Sequence, residues 1–137
     1  MSDARRPPHV SALTRPFWEA AARRELVRPV CEACGGSFFS PQVACPTCHS
    51  EDWRYRPSTG RGIVHSYTVV HRAPSPGFEP PYVVADVDVE EGWHLMTNIV
   101  GCDVGDVRIG QRVAVSWLEV APDVVLPTFA PIPEEST

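Results

Sequence analysis

Residues 31–48 read Cys-Glu-Ala-Cys-Gly-Gly-Ser-Phe-Phe-Ser-Pro-Gln-Val-Ala-Cys-Pro-Thr-Cys, and the two cysteine pairs in this stretch decide the fold. Ten residues separate the inner cysteines, Cys34 and Cys45. A Cys-x-x-Cys turn brings two sulfurs to one side of a tight loop, and two facing turns supply a tetrahedron of thiolates. The spacing predicts a metal ribbon from about Val27 to Tyr55, with four ligands: Cys31, Cys34, Cys45 and Cys48.

Disulfides, redox chemistry and a different metal are the alternatives for these cysteines. Nothing in the chain resembles a secreted disulfide scaffold, and a thioredoxin-type pair would open a helix in a βαβ unit rather than lie among prolines and glycines. We expect a structural zinc ion, because four thiolates leave no open position for substrate. Iron in a rubredoxin-type site uses the same ligands, so the sequence does not distinguish the two metals. His49 follows the last cysteine, and we interpret it as a turn residue because the metal shell is already full.

Composition excludes several classes of protein. The chain has 137 residues, 43% of them hydrophobic, and a net charge of −5 from 12 basic and 17 acidic side chains. Phosphate contacts require a basic surface, so this charge argues against a nucleic-acid binder. Residues 1–8 carry Arg5 and Arg6 without a following apolar run, and no stretch is long and apolar enough for a transmembrane helix. We therefore expect a cytoplasmic protein with no membrane partner.

The segment before the ribbon predicts a short helix. Residues 1–13 are polar and read as a flexible tail, whereas residues 14–26 combine good helix formers with an apolar face that includes Phe17 and Trp18. Thr14 is the predicted cap, and Pro16 is tolerated in a first turn. Two roles stay open for this helix, namely packing on the ribbon and docking to another protein. We assign residues 14–57 to the helix and ribbon, with Phe38 and Phe39 as the small ribbon core.

After Gly60 the pattern changes to short strands that alternate with turns. The hairpin turn Glu90-Glu91-Gly92 joins two of them, and no connection has room for a crossover helix. The count favours a mainly β protein whose residues 58–131 form a five-stranded, partly open antiparallel barrel of the OB type. An SH3-like barrel is the alternative, and residues 132–137 form an acidic tail. The five predicted strands are Ile63–Val70, Tyr82–Val89, Trp93–Val100, Gln111–Val120 and Val124–Phe129.

The barrel sequence offers no pattern typical of a catalytic site. The histidines on or near its strands have no serine or free cysteine grouped with them, and we interpret them as surface or barrel residues. Asp86 and Asp88 share one strand face, which we interpret as solvated. Cys102 lacks an adjacent base and is expected to be a small buried residue. The histidines in question are His65, His71 and His94.

Taken together, these residues resemble a known family, in which a rubredoxin-like zinc ribbon is joined to an OB-fold and which is catalogued as domain of unknown function 35. The resemblance covers about residues 14–131. The ordered combination is more specific than any one motif, and His49 departs from it, since glycine is common there. The matching motifs are Pro16-Phe17-Trp18, Cys31-x-x-Cys34-Gly35, Pro41, Cys45-Pro46-x-Cys48, Gly60-x-Gly62-x-Val64-x-Ser66-Tyr67-Thr68-Val69-Val70, Pro81-Tyr82-Val83-Val84-Ala85, Glu91-Gly92, Ile109-Gly110-x-x-Val113 and Pro127-x-Phe129.

The resemblance implies a non-catalytic accessory subunit that binds a thiolase-like enzyme, such as a lipid-transfer-type thiolase, an aldolase or an acyltransferase. It also implies that acyl-CoA is a ligand shared with that partner. Phe78 in the proline-rich loop from Arg72 to Pro81, and Tyr82 after it, are candidate anchors for a partner. Arg61, Arg72, Arg108 and Arg112 are candidates for CoA phosphates, with a solvated surface arginine as the alternative for each of them. Two alternatives from other classes remain: a single-stranded nucleic-acid-binding OB-fold protein and a standalone acyl-CoA thioesterase or hydrolase.

Overall fold

The computed structural model describes residues 7–74 and 76–133. The parts of the predicted tails at residues 1–6 and 134–137 lie outside the described residues. No helix in the described ranges combines the length and apolar character needed to cross a membrane. A 3-10 turn at Val104–Asp106 lies in the long connection between the third and fourth barrel strands. The regular elements are α1 Arg15–Ala22, β1 Val27–Cys31, β2 Trp53–Pro57, β3 Arg61–Val70, β4 Tyr82–Val89, β5 Trp93–Ile99, β6 Arg112–Ala121 and β7 Val124–Pro131.

The helix α1 is shorter than the sequence predicts. It ends at Ala22 because Arg24 adopts a left-handed backbone with φ 61°, which reverses the chain. The N–H of Glu25 bonds to the carbonyl of Ala20 and that of Arg24 to Ala21, which is the Schellman pattern for a helix C-terminus. Thr14 lies at the N-cap position without a side-chain cap hydrogen bond. The predicted helix therefore exists, but its last four residues form the turn into the ribbon.

Two short antiparallel strands frame the ribbon. β1 pairs with β2 in a register that sets Cys31 opposite Trp53, and Val30 bridges to Ser37. This pairing brings the two ends of the cysteine-rich segment together and confirms the predicted zinc-ribbon architecture.

The barrel confirms the OB prediction and adds one detail of closure. β3, β4 and β5 form an antiparallel meander, β6 pairs with β3, and β7 lies between β5 and β6. The strands close completely in the order β3-β4-β5-β7-β6. The pair between β5 and β7 is parallel, at Ile99 and Phe129, so the barrel is closed and not wholly antiparallel as predicted. All five predicted strands are present, with shifts of only one or two residues at their ends.

Strand alternation fills the barrel interior. Val83, Ala85, Val87 and Val89 of β4 are all buried, as their shared parity predicts. Phe129 of β7 is fully buried and is the largest side chain with no exposed surface. Phe17 of α1 packs against the same interior, so the apolar face of the helix covers one end of the barrel within this chain.

Phe38 and Phe39, both predicted to form the ribbon core, pack in different places. Phe38 packs with the buried cysteines Cys31 and Cys45, as predicted. Phe39 instead points away from the ribbon, because its ring centroid lies 5.2 Å from that of Phe17 and 5.4 Å from that of Trp93. The prediction was wrong for Phe39, since neighbouring residues in extended chain point in opposite directions. Its aromatic contacts join the ribbon to the helix and the barrel.

Glu91 fastens the connection between ribbon and barrel. Its carboxylate accepts hydrogen bonds from the hydroxyl of Ser58 at 2.7 Å, the amide of Thr59 at 2.8 Å and the indole of Trp93 at 3.1 Å. Partial burial would raise the pKa of this carboxyl, but these three donors outweigh it and lower the pKa to about 2. The β4–β5 hairpin thereby holds the linker that follows the ribbon.

Candidate metal centre and binding surfaces

The four cysteine sulfurs converge on one point. The Sγ atoms of Cys31, Cys34, Cys45 and Cys48 all lie within 4.8 Å of one another. Cys31 and Cys48 are 3.5 Å apart and Cys34 and Cys45 are 3.7 Å apart, measured between sulfurs. A tetrahedron with metal–sulfur bonds of about 2.3 Å has sulfur–sulfur edges of about 3.8 Å. The spacing therefore fits a four-thiolate metal site.

The two cysteine turns repeat the same local geometry. The amide of Gly35 donates to the carbonyl of Cys31, and the amide of His49 donates to the carbonyl of Cys45, both at 2.8 Å. Gly35 and His49 both have a positive φ, 76° and 66° respectively. This equivalence explains why glycine is common after the last cysteine, since the position needs a left-handed backbone, which glycine adopts without strain.

Backbone amides aimed at the sulfurs favour thiolates. The amide of Cys34 lies 3.4 Å from the sulfur of Cys31, and backbone hydrogen bonding there lowers the pKa of the Cys31 thiol. Backbone hydrogen bonding from Cys48 lowers the pKa of Cys45 to about 6. For Cys48 the amide of Ser50 acts in the same direction, but the neighbouring sulfur of Cys31 and burial outweigh it and raise the pKa to about 11. Crowded thiols of this kind ionise together only when a cation neutralises them.

The residues predicted to bind acyl-CoA do not form one cluster. Arg61 begins β3, whereas Arg72 follows its other end, after a strand of ten residues. A strand of that length spans about 30 Å, so the two arginines are at opposite ends of the barrel. Phe78 and Tyr82 lie on the Arg72 side, where their rings stack with centroids 5.2 Å apart. The predicted set therefore divides between two ends of the barrel. Phe78 and Tyr82 lie with Arg72 at the aromatic end, and Arg61 lies at the arginine end.

An apolar groove opens where the three parts of the chain meet, a feature that sequence reasoning missed. It encloses about 300 Å³ between α1, the ribbon and the strands β5 and β7. Polar side chains in its lining already have hydrogen bonds. The hydroxyl of Thr97 donates to the carbonyl of Pro127, and the side-chain amide of Asn98 donates to the carbonyl of Val83. The apolar side chains that line it are Phe17, Trp18, Phe39, Leu95, Met96, Leu126 and Pro127.

Two histidine–aspartate pairs lie on the outer face of the barrel. His65 Nδ1 is 3.0 Å from Asp88 Oδ2, and His94 Nδ1 is 3.1 Å from Asp86 Oδ1. His94 and Asp86 share a depression of about 410 Å³ with Ser66. These pairs are not visible in the sequence because each aspartate lies on a strand next to that of its histidine, and strand register is the signal that could have found them.

Cys102 lies half-buried against the barrel interior. Burial, with a further effect from Asp106 and Asp103, raises the pKa of its thiol. A thiol kept protonated is a poor nucleophile. This environment agrees with the interpretation of Cys102 as a packing residue.

Two family models together match residues 18–118. The model described as ChsH2, rubredoxin-like zinc ribbon domain, matches residues 18–54. The model described as ChsH2, C-terminal OB-fold domain, matches residues 55–118. The boundary between the two falls within β2, close to the linker that Glu91 holds.

Similar proteins combine these two domains with different overall lengths. The chain is 45% identical over 123 residues to a probable enoyl-CoA hydratase alpha subunit of Thermomonospora curvata, covering 88% of this chain but only 39% of that relative. It is 35% identical over 104 residues to a DUF35 domain-containing scaffold protein of Methanothermobacter thermautotrophicus, covering 72% and 75% of the two chains.

A solved structure described as the Ltp2-ChsH2(DUF35) aldolase contains a similar chain. The two superpose with a TM-score of 0.83 at 42% identity, over 90% of this chain and 98% of the other. Both domain models, the scaffold-protein relative and this superposition agree. The chain therefore belongs to the ChsH2 family of DUF35 proteins, in which a rubredoxin-like zinc ribbon precedes an OB-fold domain.

Proposed function

We propose that this chain is a non-catalytic accessory subunit that binds a thiolase-like partner and helps hold its acyl-CoA substrate. The observation that carries the proposal is the likeness, at 42% identity, to a chain in the Ltp2-ChsH2(DUF35) aldolase structure. The scaffold-protein name of a relative supports the same role. A partner of the lipid-transfer-thiolase, aldolase or acyltransferase type would supply the reacting groups.

The proposed metal is a structural Zn²⁺ held by Cys31, Cys34, Cys45 and Cys48. Sulfur spacing close to a tetrahedral edge and backbone amides aimed at two of the sulfurs support it. Zinc bound in this way would fix the ribbon's fold. It would take no part in the partner's chemistry, because four thiolates complete its coordination.

The apolar groove is a suitable surface for contact with both the partner and the acyl group of its substrate. It is built jointly by helix, ribbon and barrel, and Met96 at its edge keeps 73% of its surface exposed. A groove of about 300 Å³ with bonded polar groups favours an apolar group over a polar one. We propose that the partner and the acyl group of the substrate meet the chain here.

Charge on the outer barrel argues against nucleic-acid binding. OB folds bind oligonucleotides on the face of their second and third strands, which are β4 and β5 in this chain. Those strands carry Asp86 and Asp88 on the outer face and contain no arginine or lysine. Phosphate groups would be repelled from such a surface.

Co-purification tests the proposed function. The full chain would be co-expressed with a thiolase-like protein encoded beside it, and the mixture would be analysed by size exclusion and by acyl-CoA turnover. We expect one complex and a partner activity that depends on this chain. Separate elution, together with partner activity that is unchanged without the chain, would contradict the proposal.

A second candidate, intrinsic acyl-CoA hydrolysis, is favoured by one observation. Ser66 lines the same depression as the His94–Asp86 pair, so a nucleophile, a base and an orienting carboxylate occur together. No hydrogen bond joins Ser66 to His94 within the part of the chain that the structure describes. Thioester hydrolysis by the purified chain, lost in both Ser66→Ala and His94→Gln, would establish this activity, and equal rates in all three proteins would exclude it.

A further inference from the structure

Three exposed arginines, Arg61, Arg108 and Arg112, lie at one end of the barrel. Their guanidinium groups have no hydrogen bond or ion pair among residues 7–74 and 76–133. Arg23, Arg24 and Arg56, by contrast, each pair with a glutamate. In a chain with a net charge of −5, three neighbouring unpaired guanidinium groups form a local site of opposite sign.

Strand register places two of these arginines side by side. Arg61 pairs with Ala114 and Ile63 pairs with Arg112, so the two arginines occupy the same face of β3 and β6 at diagonal positions. Diagonal neighbours of this kind are about 7–8 Å apart at their Cα atoms. Long guanidinium side chains from such positions can contact the same anion.

The third arginine is presented by an ordered turn. The side-chain oxygen of Gln111 accepts the amide of Arg108 at 3.1 Å, and the amide of Gly110 donates to the carbonyl of Val64 at 2.8 Å. The turn is therefore fixed to β3 before any ligand arrives. Binding to a fixed turn costs less conformational entropy than ordering a free loop.

Two adjoining depressions meet at Arg112 and Ile132. One, of about 350 Å³, is lined by Arg108, Arg112 and residues of the turn, and its lining includes no carboxylate from the described residues. The other, of about 270 Å³, contains Arg61 but also Asp88 and Glu90. Asp88 already contacts His65, and Glu90 accepts the hydroxyl of Thr59 at 3.0 Å. An anion is therefore best accommodated in the first depression, which adjoins the one that Arg61 lines.

We propose that this arginine end, Arg61, Arg108 and Arg112, binds the phosphate groups of the CoA moiety. The identity of the ligand rests on the proposed function, whereas the preference for a phosphate ester rests on the unpaired guanidinium groups and the concave surface between them. The site differs from the aromatic end of the barrel, where Arg72 lies beside Phe78 and Tyr82.

Calorimetric titration of the full chain tests the site. The probes are CoA, 3′-dephospho-CoA, pantetheine and inorganic pyrophosphate, and the variant is Arg108→Gln/Arg112→Gln. We expect CoA to bind the wild-type chain at least tenfold more tightly than either pantetheine or pyrophosphate, and to bind the double variant at least tenfold more weakly. If the wild-type chain binds 3′-dephospho-CoA at least tenfold more weakly than CoA, one arginine is assigned to the 3′-phosphate. An equal affinity for these two assigns the arginines to the diphosphate.

Single variants elsewhere on the chain control for loss of positive charge. Arg54 is an exposed arginine on β2 whose side chain has no partner among the described residues, so Arg54→Gln removes one of the two charges that the double variant loses, and removes it far from the site. Arg72→Gln removes the arginine at the opposite end of the barrel. Both should retain CoA affinity within about twofold. A weakening in Arg72→Gln equal to that in the double variant, or none in the double variant, would overturn the proposal.

Assays in the complex separate this inference from the proposed function. In the complex with the thiolase-like partner, the double variant should co-elute normally while its KM for acyl-CoA rises at least tenfold and its KM for the acyl-pantetheine stays unchanged. Normal assembly with an unchanged KM for acyl-CoA would overturn the phosphate site and leave the accessory role intact. Failure of the wild-type chain to assemble would overturn the accessory role alone, and the titrations would still decide the phosphate site.

Discussion

The ribbon and the barrel are stabilised by different means. In the ribbon, the buried apolar cluster consists of Cys31, Phe38 and Cys45, with Trp53 partly buried beside it. The barrel interior instead contains a continuous set of buried valines, leucine, isoleucine and aromatics from every one of its strands. A segment with so little apolar surface needs a cross-link or an ion to fold, whereas the barrel folds by burial. The contrast predicts that the two parts respond differently to the same kind of damage.

The largest effect is expected from Cys45→Ser. Cys45 is 2% exposed, and removing one of four thiolates should release an ion whose binding contributes on the order of 10–16 kcal/mol. We expect the amides of β1 and β2 to lose protection in hydrogen exchange while those of β4 keep theirs. Cys102→Ser, outside the cluster, should retain the metal. Unchanged protection of β1 in the metal-free variant would show that the ribbon does not depend on the ion.

The barrel should be most sensitive to Phe129→Ala. Phe129 has no exposed surface, and truncation of a buried phenylalanine costs about 3–5 kcal/mol from lost burial and the remaining cavity. Denaturant unfolding followed by far-UV circular dichroism would measure the loss. Met96→Ala is the control, because Met96 is 73% exposed and its truncation should change stability by less than about 0.5 kcal/mol. Equal losses in the two variants would contradict the assignment of Phe129 to the interior.

Glu91→Gln tests how the two parts are joined. The variant keeps the shape of the side chain but weakens hydrogen bonds from Ser58, Thr59 and Trp93, at an expected cost of about 1–2 kcal/mol near neutral pH. The pKa of Glu91 is lowered from 4.5 to about 2 on folding, so its contribution is complete above pH 4.5 and is lost as the pH falls toward 2.

Unfolding between pH 6 and pH 2 would measure that dependence. The wild-type chain should lose stability more steeply than Glu91→Gln across the window from pH 4.5 to 2. Glu90→Gln is the matched control, since the Glu90 carboxylate accepts one exposed hydrogen bond, from Thr59. Parallel pH profiles for the wild type and Glu91→Gln would contradict the role assigned to this carboxylate.

Local patterns predicted most of the fold. Cysteine spacing indicated the ribbon, and strict alternation indicated the buried face of β4, because both signals lie within a few neighbouring residues. The early end of α1 escaped prediction because Arg24, a good helix former, adopts a left-handed backbone within the hydrogen-bonded turn that closes the helix.

Features that depend on strand register escaped prediction for a different reason. The His94–Asp86 pair, the diagonal placement of Arg61 and Arg112, and the apolar groove all join residues from different strands or domains. Single-sequence periodicity fixes which face a side chain occupies but not which residue lies opposite it. The sequence thus indicated the types of residue that form the candidate sites, and the fold was needed to group them.

The smallest expected effect comes from the two equivalent turns of the ribbon. Gly35 and His49 hold the same left-handed conformation, but only histidine carries a side chain that this backbone disfavours. His49→Gly should therefore stabilise the metal-bound ribbon slightly, by about 0.5 kcal/mol once the greater freedom of glycine in the unfolded chain is counted.

Gly35→Ala is the mirror experiment. A Cβ at Gly35 would meet no atom within 4 Å, so its expected cost of about 1 kcal/mol would report backbone strain alone. Competition for zinc with a chelator, run in parallel on both variants, measures the two effects as opposite shifts in metal affinity. The two turns have equivalent hydrogen bonds. If metal affinity shifts in the same direction in both variants, the His49 side chain stabilises the ribbon by more than its backbone conformation costs.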